Sequence, residues 1–111
     1  MQALSPINTL TNQTNQSGDI RIVSNEELLQ ETLESIGLQL KIERSFKKLS
    51  QKEAADIAGL HRRTISDLEN GKNGNIKTMI QYALALDVSF ALLIARAEHE
   101  MEMRRNGIVI K

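Results

Sequence analysis

Arg62 and Arg63, flanked by His61, Thr64, Ser66 and Asp67, gather hydrogen-bonding groups into one short stretch, Gly59-Leu60-His61-Arg62-Arg63-Thr64-Ile65-Ser66-Asp67-Leu68-Glu69-Asn70-Gly71. Each guanidinium is a rigid fork of donors that can meet two acceptors on one base edge, the O6 and N7 of guanine. This chemistry recognises a surface and makes or breaks no bond. Nothing elsewhere in the sequence supplies a reaction. Ser45, Ser50 and Ser66 have no histidine at a spacing that would activate them, and single serines on polar helix faces are usually solvated. Gly71-Lys72-Asn73-Gly74 lacks the long glycine frame and the Lys-Ser or Lys-Thr ending of a phosphate-binding loop. Glu98-His99-Glu100 resembles a ligand cluster but reads better as the solvated face of a helix, and with no cysteine there is no thiolate site. No enzymatic activity, cofactor or metal is therefore expected.

Two short helices joined by a glycine turn must position these side chains. Ser50 with Glu53 three residues later forms a capping box that opens the first helix. Gly59 tolerates the positive φ of a tight turn, and Ala55 is small enough for the second helix to cross closely. Ile65 and Leu68, three apart, face inward and leave Arg62, Arg63 and Ser66 outward. Paired helices with donors on the outer face predict DNA binding.

The formal net charge of zero over 111 residues hides a segregation. Between Leu38 and Tyr82, Lys41, Arg44, Lys47, Lys48, Lys52, Arg62, Arg63, Lys72 and Lys77 outnumber Glu43, Glu53, Asp56, Asp67 and Glu69, nine against five, for a net +4. Upstream, Asp19, Glu26, Glu27, Glu31 and Glu34 against Arg21 give −4. A local basic face is what phosphate contact requires. The length suits one domain with one core. The absence of cysteine, of an apolar run near the roughly 20 residues of a membrane span and of a leader-like start points to a soluble, cytoplasmic chain.

Residues 1–18, polar and uncharged with Pro6, read as a disordered arm. Ile20 to Val23 alternates like a short strand, and Ser24 with Glu27 looks like a second capping box. The helix it opens has Leu28, Leu29, Leu33, Ile36, Leu40 and Phe46 as its apolar face, and Gly37 either splits or weakens it. Asn75 caps a fourth helix carrying Ile76, Met79, Ile80, Ala83, Leu84 and Leu86. Beyond Asp87 two readings compete: a strand through Val88, Phe90, Leu92 and Ile94, or a helix capped by Ser89 with the stripe Phe90, Leu93, Ile94, Ala97 and Met101, ending at Gly107. The alanines and the Glu-rich continuation favour the helix. Ile108 to Ile110 reads as a short strand that could pair with Ile20 to Val23 or with a second subunit.

Leu49-Ser50-Gln51, Ala55, Gly59-Leu60, Thr64-Ile65-Ser66 and Leu68-Glu69-Asn70-Gly71 together resemble the phage repressor and Cro-like (xenobiotic-response-element type) helix-turn-helix regulators over about residues 36–92. The resemblance implies an all-α, compact five-helix bundle that binds a double-stranded DNA operator as a homodimer and represses transcription. It divides the chain into the arm (1–18), a strand and helix extension (19–35), the DNA-binding domain (36–92) and a C-terminal helix and strand (93–111), where the stripe Phe90, Leu93, Ile94, Ala97 and Met101 is expected to dimerise. Gln51 takes the place of the family's phosphate clamp, at the positive end of its helix. Arg62 and Arg63 fall in the first turn of the recognition helix, residues 61–70, which enters the major groove. His61, Thr64 and Ser66 are expected to add phosphate or base contacts. Asp67 either accepts from cytosine N4 or forms an i,i+4 ion pair with Arg63. Lys72, Asn73 and Asn75 follow toward the sugar-phosphate backbone, although this loop is about one residue shorter than the family's commoner pattern. Arg44 and Glu69 are expected to face each other as a structural ion pair that holds an arginine near a phosphate.

The same core fits two other roles. Leu84-Ala85-Leu86-Asp87-Val88-Ser89-Phe90 is similar to antitoxins that neutralise kinase-type toxin partners while repressing their own operon, and Gly59-Leu60-His61-Arg62 is similar to restriction-modification controllers.

Overall fold

Four short polar side chains start four of the five helices. The computed structural model describes residues 24–107, which form α1 (Asn25–Phe46), α2 (Gln51–Ala58), α3 (Arg62–Glu69), α4 (Ile76–Ala85) and α5 (Phe90–Arg105). Ser24 and Ser50 accept from the N–H groups of Glu27 and Glu53, each at 3.0 Å, and both glutamates return the bond to complete capping boxes. Asn75 accepts from Thr78 N at 3.0 Å, and Ser89 from Leu92 N at 3.3 Å. Only α3 begins without such a cap: His61 is extended and its side chain makes no capping bond.

The bundle is all-α, and the described residues contain no strand. Residues 86 and 87 form a turn and Ser89 caps α5, so the strand reading of this region is replaced by the helical one. The expected strands at 20–23 and 108–110, and the arm at 1–18, lie outside the described residues.

Gly37 does not split the chain into two helices, because α1 runs unbroken for 22 residues. The expected domain boundary at 35/36 therefore falls inside one helix. Gly37 sits where α1 crosses the end of α3: a Cβ there would lie 2.4 Å from the Leu68 carbonyl oxygen and 2.6 Å from that of Glu69. The missing side chain brings two backbones together, which outweighs glycine's roughly 1 kcal/mol helix penalty. Gly71, in the left-handed region at φ 72°, likewise abuts Glu34, and Gln30 Nε2 donates to its carbonyl at 3.1 Å.

On its other side α1 packs antiparallel to α5, with Glu43 meeting Arg96 and Ser35 meeting Ala97 and Glu100. The α5 stripe expected to serve dimerisation is covered within the chain by this packing. Leu93, Ala97 and Met101 are buried within the chain itself, and Phe90 and Ile94 pack partly buried against the same core. Helical periodicity identifies a face that must be covered; here α1 covers it.

The core joins all five helices through Ile36, Leu40, Ala55, Ile65, Leu68, Met79, Tyr82, Leu86 and Leu93. Several side chains counted as core in the sequence are outside it: Leu28, Leu29, Phe46, Ile76, Ile80 and Leu84 are exposed, Phe46 by 81% and Leu84 by 73%.

Candidate nucleic-acid interface

The turn between α2 and α3 sets the interface. Gly59, at φ 70° and ψ 33°, ends α2, and both its N–H and that of Leu60 return to the Ala55 carbonyl. The buried alanines 54, 55 and 58 leave α3 room to cross α2. Ile65, Leu68 and Glu69 form the buried side of α3, while His61, Arg62 and Arg63 stand exposed at its start and Thr64, Ser66 and Asp67 are half-buried beside them.

Gln51, the first residue of α2, bridges the two helices. Its Nε2 donates to Glu69 Oε1 at 3.2 Å and its Oε1 accepts from Arg62 Nη1 at 3.3 Å. Only one amide orientation satisfies both neighbours, because a carboxylate accepts and a guanidinium donates. Arg62 is thereby tethered by one of its five N–H donors, and four remain for a ligand. Arg63 projects freely apart from a 3.5 Å ion pair with Asp67. That pair is the ordinary i,i+4 contact of an exposed helix, worth a few tenths of a kcal/mol.

Behind this surface, Glu69 is a buried hub. Arg44 donates to it twice, Nε to Oε2 at 2.7 Å and Nη2 to Oε1 at 3.0 Å, and Tyr82 OH donates to Oε2 at 2.5 Å. Burial by itself would raise the Glu69 pKa, but donation from Arg44, Tyr82 and Gln51 holds it below the ordinary carboxylate value. Tyr82 is pushed far up, first by burial and then by the carboxylate it faces, and so stays a neutral donor. Arg44 Nη1 turns to the Leu49 carbonyl at 2.7 Å, so three of its donors are engaged inside the protein. It ties α1 to α3 and to the residue that precedes α2 by two positions.

After α3, Lys72 is exposed, and Asn73 Oδ1 accepts from Asn75 N at 2.8 Å. The side-chain oxygen of Asn75 is occupied by capping α4, which leaves its amide N–H groups outward. Thus Gln51, Arg62, Glu69 and Arg44 are drawn into one network, Arg63 and Asp67 into a second, and Lys72 to Asn75 into the adjoining loop. The α5 stripe lies apart, on α1.

Tyr82 was not among the residues singled out in the sequence. The available signal was chemical: it is the chain's sole tyrosine, set in the otherwise aliphatic row Met79, Ala83 and Leu86, and a buried phenol must find a partner.

Fold and surface define a class, the helix-turn-helix domain. Residues 41–93 match the model of the helix-turn-helix family, and the resemblance to repressor and Cro-like regulators falls on the same segment. Among solved structures, the crystal structure of the clp gene regulator ClgR from Corynebacterium glutamicum shares the fold. It aligns at a TM-score of 0.63 and 22% identity over 68% of this chain and 82% of that one. No curated protein matches the chain.

Proposed function

We propose that this protein is a sequence-specific DNA-binding transcriptional regulator that lays α3 in the major groove. The observation that carries this reading is the exposed start of α3: two adjacent arginines beside the N-terminus of α2, on a helix whose other face is buried. Arg62 and Arg63 read base edges, Gln51 and the α2 backbone amides meet a phosphate, and Lys72, Asn73 and the Asn75 amide follow the strand. The family match over residues 41–93 and the regulator fold support the reading.

The test is selection of bound sequences from a random DNA pool by the full chain, followed by affinities at fixed salt. An enriched motif with at least about tenfold preference over scrambled DNA is expected. Binding that follows salt alone, with no enriched motif, would overturn base reading.

Repression by a dimer on an inverted repeat is the finer part of the proposal. Half-sites would lie about 34 to 36 Å apart, one turn of DNA. Because α5 buries its stripe within the subunit, pairing falls to exposed apolar rows such as Leu38, Ile42 and Phe46 on α1 or Ile76, Ile80 and Leu84 on α4. Phe46→Glu and Leu84→Glu, compared by sedimentation, distinguish the two rows. A wild-type chain that stays monomeric at micromolar concentration, both free and on DNA, removes the dimer.

A further inference from the structure

We infer that Tyr82 is a positioning residue for base reading: its buried hydroxyl orients Glu69, Glu69 orients the Gln51 amide, and Gln51 holds the Arg62 guanidinium at the surface. The inference rests on the reading that α3 contacts DNA.

The geometry is a relay that loosens outward. Tyr82 OH to Glu69 is 2.5 Å, Arg44 to Glu69 2.7 and 3.0 Å, Gln51 to Glu69 3.2 Å, and Arg62 to Gln51 3.3 Å. The inner bonds are short, charge-assisted and shielded from water; the outer two are long and stand at the rim. A rotation of the Glu69 carboxylate therefore detaches Gln51 first, because that bond is the longest of those made to Glu69. Tyr82 opposes that rotation because it reaches Oε2 from α4, while Arg44 reaches the carboxylate from α1, so donors from two helices meet on one oxygen. Once Gln51 is free to turn, Arg62 loses its only side-chain partner among the described contacts and samples many rotamers. The order must then be restored when DNA binds.

Tyr82→Phe removes the hydroxyl and leaves the ring in the core. It is expected to lower affinity for the selected sequence by about 2- to 10-fold at fixed salt, the range of one hydrogen bond. The loss should be concentrated at the base pair read by Arg62, with affinity for scrambled DNA unchanged. In the Arg62→Ala and Gln51→Ala backgrounds the same substitution should change affinity less than about twofold, since the relay is already cut. Without DNA, the Gln51 side-chain amide signals in a 15N spectrum should shift and sharpen in Tyr82→Phe. A purely structural role predicts otherwise: an equal loss in every background and on every sequence, with Gln51 signals unmoved, and that outcome overturns the inference. A wild-type chain that selects no sequence overturns the DNA reading itself, whereas a selective wild-type with additive variants overturns only the role of Tyr82.

Discussion

Glu69 and Glu100 are both buried carboxylates, each beside an arginine and each accepting from a hydroxyl at 2.5 Å, yet they build different regions. Glu69 is reached from α1 by Arg44, from α2 by Gln51 and from α4 by Tyr82, and its arginine is only 12% exposed. Glu100 is reached by Ser35 of α1 and by Arg104, one turn away on its own helix and 47% exposed. The Ser35 hydroxyl has one proton and two acceptors, Glu100 and the Ala97 carbonyl at 3.0 Å, so the two contacts share it. Donors converging from separate helices make the first carboxylate an organiser of the α2 and α3 surface. Local pairing makes the second a clasp between two helices already joined by apolar burial. The number of elements that a buried charge ties together, more than the number of its bonds, decides how far its influence reaches.

The largest expected effect is at the hub. Glu69→Ala leaves the mostly buried Arg44 without its carboxylate, and a loss of about 3 to 5 kcal/mol in chemical denaturation is expected, with DNA affinity falling alongside. An unchanged melting temperature would remove Glu69 from the centre of the comparison. Its depressed pKa carries a sign: the stabilisation is complete above the ordinary carboxylate value and is lost as pH falls through the lower folded-state value. Denaturation midpoints across acid pH should therefore decline more steeply in the wild type than in Glu69→Gln.

On the α5 side the weight rests on apolar burial. Leu93→Ala, at a fully buried position, should cost about 2 to 5 kcal/mol of stability. That cost should not depend on protein concentration, because the side chain packs within its own chain. A concentration-dependent loss would return the stripe to a role between subunits.

Arg62→Ala and Arg63→Ala sharpen the contrast from the outside. Each should weaken operator binding by about 1 to 3 kcal/mol and relax base choice, with melting temperature nearly unchanged. Retained discrimination in both variants would place base reading on other residues. The smallest effect is expected for Glu100→Ala. Ser35 keeps the Ala97 carbonyl and Arg104 turns to solvent, so about 1 kcal/mol is lost and DNA binding does not change. A loss as large as that of Glu69→Ala would erase the distinction drawn between the two carboxylates.

Local features were legible in the chain. The caps at Ser24, Ser50, Asn75 and Ser89 and the positive φ at Gly59 depend on residues within a turn of one another, so their chemistry is visible in sequence. The Arg44 and Glu69 pairing came through family resemblance, since nothing local connects residues 25 apart. Phe46, Ile76 and Leu84 have the right spacing for core faces yet are exposed, because periodicity names an apolar side but not the element that covers it.

By itself the sequence determined the caps at Ser24, Ser50 and Asn75, the glycine stop of α2 and the polar outer face of α3, since these follow from interactions within a few residues. The tertiary structure alone decided that Gly37 admits the backbone of α3, that α1 covers the α5 stripe, and that Tyr82 and Gln51 meet at Glu69. Each of those outcomes depends on how helices distant in the chain cross, and a crossing is fixed by the packing of all five together.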